Sequence, residues 1–395
     1  MAYIIKILSI FIALPFVFII RLVGPILKIR IGIIISSRLG HFVGNTEIYF
    51  CEREIGINKP KQWHIDIFYM NMPICNQQMA KLIKREIIVF PYWLLYPIHR
   101  VNRMIPNSVN YEVGTNTQED RDVHNLLDKF LPHLKFTKVE EVEGLNGLNK
   151  LGVPIDKPFV CINVRDRAYL PGKNWSYHNY RDCNIKNFVL IAEELADRGY
   201  YIIRMGAKVH DKLISNNSQI IDYANNGMRS DFMDIYLGAK CAFAVSTGTG
   251  WDSIPEMFRR PVVYVNFMPF VYLHTSRRVL LSITKKHIWK ESRKTMTLRE
   301  IISSGAGSSY HSEDYELKGI DIIENTPEEI RDTVIEMEER LSGKWQSNSL
   351  DEILQQRFWK IFPTDSTCLE GKPLHGEVRA RFGAAFLRNN QEWLQ

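Results

Sequence analysis

The second half of the chain alternates short, continuously apolar segments with segments in which apolar residues recur every three or four positions. Continuous apolar runs are typical of strands buried on both faces of a parallel sheet, and the longer spacing is typical of amphipathic helices. The apolar runs occupy residues 159–164, 200–203, 242–245 and 262–265, and helical spacing occupies residues 184–198 and 232–237. This alternation predicts an α/β fold with a parallel sheet.

The first half carries similar patterns less distinctly. Short apolar or alternating runs predict strands at residues 31–36, 48–51, 64–69 and 87–90, and helical spacing covers residues 120–131. Gly152, Pro154 and Pro158 interrupt the pattern and indicate a domain boundary. We therefore expect one Rossmann-like domain over residues 29–152 and a second over 153–341. Residues 342–395 are expected to form a linker and C-terminal helices, with helical patterns at 350–362 and 377–387.

The N-terminal segment is the most apolar part of the chain. Residues 7–20 contain no charge and would extend roughly 21 Å as a helix, short of the ~30 Å of a bilayer core. We expect residues 1–28 to be a membrane anchor, either spanning or half-inserted. Lys28, Arg30 and Arg38 follow it, which places the body of the protein on the cytoplasmic side of the inner membrane. The alternatives are a cleaved signal peptide, for which no small-x-small site exists, and a buried core helix.

Composition narrows the range of functions only slightly. The 395 residues are 45% hydrophobic and 24% charged, which is typical of a globular protein and long enough for two domains. The net charge of +6 comes without a basic block, which argues against nucleic acid as a partner. The six cysteines form no C-x-x-C motif and have no nearby histidine at zinc-binding spacing. We expect reduced, structural cysteines and no metal site.

Polar residues follow three of the predicted strands. Arg165 follows the first apolar run, Arg204 follows the second, and a small-residue loop at 246–250 follows the third. Because the carboxyl ends of parallel strands meet at one edge of a sheet, these groups should lie close together. Glycines allow close approach of backbone N–H groups to an anion, and hydroxyls add donors. The sequence predicts a diphosphate site made of Arg165, Arg204, Ser246, Thr247, Gly248, Thr249 and Gly250.

Each of these features has a simpler explanation as well. Either arginine could form only a surface ion pair, and the 246–250 loop could be an ordinary turn between a strand and a helix. The agreement of three independent strand ends favours the binding site.

Four segments in the predicted second domain carry a family resemblance. They are VCINVRDRAYL at 160–170, YYIIRMG at 200–206, STGTGWDSIPEMFRRPVVYVNF at 246–267 and MTLREIISSGAG at 296–307. Together they resemble bacterial putative glycosyltransferases of surface-polysaccharide and lipopolysaccharide gene clusters, over roughly residues 155–310. The resemblance implies a GT-B-like fold, in which two Rossmann-like domains face a cleft and the second binds a nucleotide-sugar.

A more distant resemblance concerns the first strand end. Asn163-Val164-Arg165 stands where fucosyltransferase-like enzymes have a His-x-Arg motif, whose arginine contacts the nucleotide diphosphate. The chain departs from that motif, because Asn163 occupies the position of the histidine.

The resemblance implies an inverting glycosyltransferase that moves a sugar from a nucleotide-sugar to a lipid-linked or polysaccharide acceptor. Such an enzyme needs positive charge for the departing diphosphate, which Arg165 supplies. No Asp-x-Asp pair lies near the strand ends, since Asp120 and Asp122 open a predicted helix elsewhere. Asp252 stands alone after the loop, where a helix start explains it. We therefore expect a metal-independent reaction without a cofactor.

The reaction also needs a group that accepts the proton of the attacking hydroxyl. His41, directly after the first predicted strand, is the first candidate because a histidine titrates near neutral pH. Glu47 and Asp166 are the alternatives. The aromatic stretch at 169–180 is expected to contact the substrate. Two other enzymes fit the same fold, a nucleotide-sugar 2-epimerase and a pyruvyl transferase, as does a non-catalytic scaffold of a membrane polysaccharide-assembly complex.

Overall fold

The computed structural model describes residues 2–114, 121–168 and 176–395, and only the backbone of residues 2–10. Contacts divide the chain into two units. The N-terminal unit comprises Met1–Arg121 and Phe130–Phe136, and the C-terminal unit comprises Asp122–Lys129 and Thr137–Gln395. The sequence-based boundary near residue 152 lies inside the C-terminal unit, after its first helix.

The N-terminal unit has a small parallel sheet with helices around it. Its elements are α1 (Ala2–Val23), β1 (Lys28–Ile34), α2 (Leu39–Ile55), β2 (His64–Met70), α3 (Gln77–Glu86), β3 (Ile88–Val89) and α4 (Tyr92–Arg103), with a short 3-10 helix at Ser108–Tyr111. The strands lie in the order β1-β2-β3 and are parallel. The predicted strands at 31–36, 64–69 and 87–90 are confirmed, with small shifts at their ends.

Helix α1 buries one face inside the N-terminal unit. Ala13, Val17 and Ile20 lie in an apolar cluster with residues of α4 and of the sheet. The opposite face is exposed: Phe11 and Phe18 are 67% and 66% accessible. Among the residues that the structure describes, no helix combines the length and the apolar character needed to cross a bilayer. The expected spanning anchor is therefore not supported, and α1 is a helix packed on one side.

Two sequence-based elements of the first half are wrong. The apolar run at 48–51 is the middle of α2, not a strand. Residues 121–131 form turns, not a helix, although Leu126 and Leu127 are buried as the helical pattern required. The Asp122 carboxylate accepts hydrogen bonds from the backbone N–H groups of these two leucines, at 2.7 and 2.9 Å. A short acidic side chain that bonds nearby backbone in this way competes with helix formation. Asp120 lies outside the described residues.

The C-terminal unit contains the larger sheet. Its helices are α5 (Lys138–Lys150), α6 (Val189–Asp197), α7 (Asp231–Lys240), α8 (Ser253–Met257), α9 (Leu298–Ser303), α10 (Ser312–Leu317), α11 (Pro327–Ser342), α12 (Ser349–Ile361) and α13 (Ala384–Asn389). Its strands are β4 (Phe159–Asn163), β5 (Tyr201–Met205), β6 (Ile220–Ile221), β7 (Phe243–Ser246), β8 (Val262–Phe267), β9 (Leu280–Thr284), β10 (Lys286–Trp289), β11 (Ile320–Ile323) and β12 (Arg381–Phe382). Short 3-10 helices lie at Ser176–Arg181, Ile185–Phe188, Gly250–Asp252, Phe270–Tyr272, Ala306–Ser308 and Gln391–Leu394.

Within the described residues, seven parallel strands form one sheet in the order β12-β9-β8-β7-β4-β5-β6. Strands β10 and β11 form a separate antiparallel pair. Every residue of β4, β7, β8 and β9 is buried. The predicted α/β fold with a doubly covered parallel sheet is therefore confirmed for this unit.

Capping-box patterns in the sequence correctly predicted the starts of two helices, α9 and α11. The Thr297 and Thr326 side chains each accept from the backbone three residues on, and Glu300 and Glu329 bond back to complete both capping boxes. The C-terminal segment differs from expectation. The predicted helix at 377–387 is instead β12 followed by α13, because Arg381–Phe382 joins the edge of the sheet beside β9.

Candidate functional site

The large sheet has a point at which its strand order reverses. From β4 the chain moves outward to β5 and then β6, and it next returns to the other side of β4 as β7. The connections that leave β4 and β7 therefore depart in opposite directions. Such a switch point opens a crevice outside the carboxyl ends of the two strands, where α/β proteins bind ligands. Arg165 and the 246–250 loop both follow these two strands.

The 246–250 loop is held together from within by Asp252. The Asp252 carboxylate accepts hydrogen bonds from the Ser246 hydroxyl and from the Thr249 backbone and hydroxyl groups. Burial raises the pKa of Asp252 to about 6. The backbone N–H of Gly248 donates to the Ser246 hydroxyl oxygen at 3.3 Å. The hydroxyl and N–H groups that the sequence analysis assigned to phosphate are thus directed into the loop itself at these positions.

Gly248 is required by the backbone of this loop. Its φ of +80° is a left-handed conformation, and a Cβ at this position would lie 3.0 Å from the Phe267 ring. Any side chain at residue 248 would therefore meet both backbone strain and a steric clash. The loop is consequently a fixed part of the site.

The loop connects directly to the end of β4. The Arg165 backbone N–H donates to the Thr247 hydroxyl at 2.8 Å, and the Thr247 N–H donates to the Asn163 carbonyl at 3.3 Å. The Asn163 side-chain amide donates to the Thr249 hydroxyl. Asn163 therefore braces the loop against the strand.

Two guanidinium groups meet beside this loop. Arg165 Nε lies 3.3 Å from an Asp182 carboxylate oxygen, and the Arg165 side chain is 22% exposed. Arg181 donates through Nη2 to the Gly248 carbonyl, while its buried Nε has no hydrogen-bond partner among the described residues. Burial lowers the pKa of Arg181, and the positive charge of Arg165 lowers it further. Buried donors are normally paired, so this N–H is available to an acceptor that the described residues do not supply.

A third cation lies next to the pair. Lys285, directly after β9, is buried and donates through Nζ to the Asp182 backbone carbonyl. Burial raises the pKa of Asp182, although Arg165 and Lys285 oppose that shift. Three cationic side chains therefore share this region with the carboxylates of Asp182 and Asp252, and the charge of Asp166 also acts on Asp182. The guanidinium groups are the ones whose geometry matches phosphate oxygens.

Arg204 does not reach this edge of the sheet. It is fully buried, with Nη1 3.2 Å from an Asp222 oxygen, and its Nε and Nη2 have no hydrogen-bond partner among the described residues. The reason is the length of β5, which continues through Met205, so that Arg204 lies inside the strand and not after it. The expected rim position of Arg204 is therefore replaced by a buried ion pair.

Sequence reasoning missed Arg181 and Lys285. Lys285 follows an apolar strand in the same way as Arg165, so the rule that identified Arg165 would have identified it too. Arg181 directly follows the aromatic stretch at 169–180, and no local pattern in the sequence distinguishes it as a binding residue. Residues 169–175 of that stretch lie outside the described residues.

The structure also separates the candidate proton acceptors. His41 lies in the first turn of α2, the helix that follows β1, and is half-buried. Glu47 is buried on α2, where its carboxylate accepts from the His133 backbone N–H at 3.1 Å and pairs with His133 Nδ1 at 3.0 Å. Asp166 accepts from the backbone N–H groups of Ala168 and His210 at 2.7 and 2.6 Å.

No protein-family model matches the chain, and no curated protein matches it. Several solved structures are similar in fold, at low identity. ADP-heptose lipopolysaccharide heptosyltransferase II of E. coli has 14% identity and a TM-score of 0.42, over 79% of this chain and 98% of that one. A family 9 glycosyl transferase of Veillonella parvula has 10% identity and a TM-score of 0.36, over 60% and 79%. A putative UDP-N-acetylglucosamine 2-epimerase of Listeria monocytogenes has 8% identity and a TM-score of 0.27, over 60% and 79%.

Proposed function

We propose that the protein is a GT-B-like glycosyltransferase that binds a nucleotide-sugar through its diphosphate at the β4/β7 crevice. One observation carries this proposal: Arg165 and Arg181 both contact the 246–250 loop at the switch point, and Arg181 has a buried N–H without an acceptor among the described residues. Paired guanidinium groups match the geometry of phosphate oxygens. Sugar transfer from a nucleotide-sugar needs this arrangement, because negative charge develops on the departing diphosphate.

The loop contributes by positioning the two arginines. Thr247 holds the Arg165 backbone, and the Gly248 carbonyl holds the Arg181 guanidinium. We propose that the reaction needs no metal ion at the diphosphate. The support is that Asp252, the carboxylate nearest to the loop in sequence, already accepts hydrogen bonds from Ser246 and Thr249. The positive charge of the arginines takes the place of a cation.

The acceptor side is proposed for the N-terminal unit. We assign His41 as the base that takes the proton from the attacking hydroxyl, with inversion at the transferred carbon. Glu47 is set aside because its carboxylate is buried against His133. The acceptor proposed is a saccharide, either lipid-linked or part of a polysaccharide.

The proposed location is the cytoplasmic face of the membrane, with α1 lying in the interface and not spanning it. The exposed face of α1, with Phe11, Phe18 and Leu22, supports this location, as does Trp93 on the neighbouring helix α4 at 74% exposure. Apolar and aromatic residues on one side of a helix suit the boundary between headgroups and acyl chains.

In the first experiment, full-length protein is titrated with UDP, GDP, ADP and CDP, and binding is measured by thermal shift and calorimetry. Each titration is carried out with and without EDTA. We expect one nucleoside diphosphate to bind in both conditions. Arg165→Ala and Arg181→Ala should each weaken it about 10–100-fold, because each removes a charge-assisted hydrogen bond of about 1.5–3 kcal/mol. Arg331→Ala is the control, since Arg331 is paired with Asp332 on α11 in the same unit. Absence of binding, or equal affinity in all variants, would refute the diphosphate site and favour the scaffold.

The second experiment identifies the reaction with the donors that contain the preferred base. A glycosyltransferase releases nucleoside diphosphate only when an acceptor is present and forms a longer saccharide. A 2-epimerase changes the sugar without an acceptor. Release that depends on acceptor would support the proposal, and epimerised nucleotide-sugar would replace it.

A further inference from the structure

A second group of reactive side chains lies inside the N-terminal unit, apart from the diphosphate site. Glu47 and Cys51 are one turn apart on α2, and His133 comes from the segment Phe130–Phe136. The Glu47 carboxylate, the Cys51 thiol and an imidazole nitrogen of His133 lie within 4.8 Å of one another. We call these three residues the α2 cluster. Carboxylate, thiolate and imidazole are the ligands that zinc takes in proteins.

The imidazole of the α2 cluster is held at both nitrogens. His133 Nδ1 lies 3.0 Å from Glu47 Oε1, and His133 Nε2 lies 2.8 Å from Glu54 Oε2. Glu54 is one further turn along α2, on the same side as Glu47 and Cys51. A histidine that binds a metal through one nitrogen commonly donates its other N–H to a carboxylate. Glu54 is placed to accept that hydrogen bond, which directs the Nδ1 lone pair towards Glu47 and Cys51.

A proton could also bridge His133 and Glu47. The hydrogen bond to Glu47 raises the pKa of His133, and the charge of Glu47 and the contact with Glu54 add to this, against the effect of burial. That arrangement accounts for the histidine and the two glutamates. The case for a metal ion is geometric: a thiol, a carboxylate oxygen and an imidazole nitrogen lie within 4.8 Å of one another, and two of the three residues are buried.

The charges of the α2 cluster suit a divalent ion. A Cys51 thiolate and a Glu47 carboxylate together carry the two negative charges that neutralise one dipositive ion, with His133 neutral. The further charge of Glu54 lies on a side chain that is 55% exposed, where water compensates it. Metal ligands bind in their deprotonated forms, so the affinity should fall as the pH falls.

We propose that Glu47, Cys51 and His133 bind one divalent transition-metal ion, zinc foremost, and that Glu54 orients His133. The ion would fasten the segment Phe130–Phe136 to α2 within the N-terminal unit, as a structural site. The proposal is independent of the diphosphate site. It differs from the expectation of no metal site, which rested on spacing along the chain, because His133 is remote in sequence from the two proposed ligands on α2.

The test uses full-length protein freed of metal with a chelator and titrated with Co²⁺, which reports its ligands by absorption. We expect one Co²⁺ per chain, with a sulfur-to-cobalt charge-transfer band and tetrahedral d–d bands. Zinc should displace it, and metal analysis of untreated protein should show zinc near one equivalent. Cys51→Ser should abolish the charge-transfer band, while Cys75→Ser, which removes an exposed cysteine of the same unit, should not change it.

A second variant keeps the test valid if replacement of a buried ligand disturbs folding. Glu54 is 55% exposed, so Glu54→Gln should fold normally and should weaken Co²⁺ affinity about 10–100-fold. The affinity for the preferred nucleoside diphosphate, measured in the same samples, should not change. Lack of stoichiometric Co²⁺ binding, a charge-transfer band that persists in Cys51→Ser, or unchanged affinity in Glu54→Gln would each overturn the proposal.

Discussion

The two parallel sheets of this protein differ in how they are covered. In the C-terminal unit, β4, β7, β8 and β9 are buried at every position. In the N-terminal unit, Ile33, Ile65 and Ile88 are 45%, 41% and 52% exposed, and α1 exposes one apolar face. The central strands of the C-terminal sheet are thus covered on both faces, and Arg165 and Lys285 follow the carboxyl ends of two of them. The N-terminal unit leaves apolar surface available, which is typical of a part that meets another apolar surface.

The strongest test of this comparison uses two glycines of the C-terminal unit. The φ angles of Gly248 and Gly152 are +80° and +86°, so both lie in the left-handed region. A Cβ at residue 248 would meet the Phe267 ring, whereas a Cβ at residue 152 would have no neighbour within 4 Å. We expect Gly248→Ala to lower affinity for the preferred nucleoside diphosphate by more than about 100-fold, because the loop that positions Arg181 would shift. Gly152→Ala should cost only the backbone strain of about 1–2 kcal/mol in stability and keep the affinity.

Calorimetric titration of both variants decides the matter. Equal affinities of the two variants for the nucleoside diphosphate would mean that the 246–250 loop is an ordinary turn and that the diphosphate does not bind beside it.

The next test concerns the pH dependence of the C-terminal unit. Burial raises the pKa of Asp252 from its usual 3.8 to about 6. The native state therefore favours the protonated form, and the stability that this form supplies is present below pH 4 and lost as the pH rises through 6. Relative to Asp252→Asn, the wild-type protein should lose up to about 3 kcal/mol between pH 4 and 7. Hydrogen exchange of the β7 amides, measured in both proteins at each pH, would report this loss of stability. Parallel pH profiles of the two proteins would contradict a buried, ionisable Asp252.

The smallest expected effects distinguish the two faces of α1. Val17 is 1% exposed and Phe18 is 66% exposed. Val17→Ser should destabilise the N-terminal unit by about 2 kcal/mol, because it removes a buried apolar side chain. Phe18→Ser should stay within about 0.5 kcal/mol of the wild type. Phe18→Ser should instead reduce the fraction of protein that sediments with phosphatidylglycerol vesicles. Val17→Ser should leave that fraction unchanged as long as the unit is folded.

The outcome of this pair also bears on truncation. Since Ala13, Val17 and Ile20 lie in one cluster with Leu95 and Ile98 of α4, removal of residues 1–27 should expose that cluster. Unchanged vesicle binding in Phe18→Ser would argue against a membrane role for the outer face.

The sequence was most informative where structure is decided locally. Continuous apolar runs located β4, β5, β7 and β8, and glycines with hydroxyl residues located the 246–250 loop. It failed where tertiary contacts override the local pattern. The run at 48–51 resembles a strand, yet it lies inside α2, whose faces are buried on several sides. Residues 121–131 have a helical pattern, but the Asp122 side chain bonds the backbone and stops the helix.

The candidate site was predictable in part for the same reason. Arg165 follows the end of a strand and could be found, whereas Arg204 was misplaced because β5 extends two residues further than its apolar run. Arg181 and the α2 cluster depend on contacts between distant parts of the chain. Cys51 and His133 meet only in the folded unit, so spacing rules for metal ligands could not detect them.

The division of the chain has a consequence for how such a protein can be taken apart or recombined. Asp122–Lys129 belongs to the C-terminal unit, and the next segment, Phe130–Phe136, returns to the N-terminal unit. Neither unit is a contiguous stretch of the gene. A single crossover would therefore not exchange either unit intact between related genes. Exchange of one whole unit would need three crossovers, after residues 121, 129 and 136.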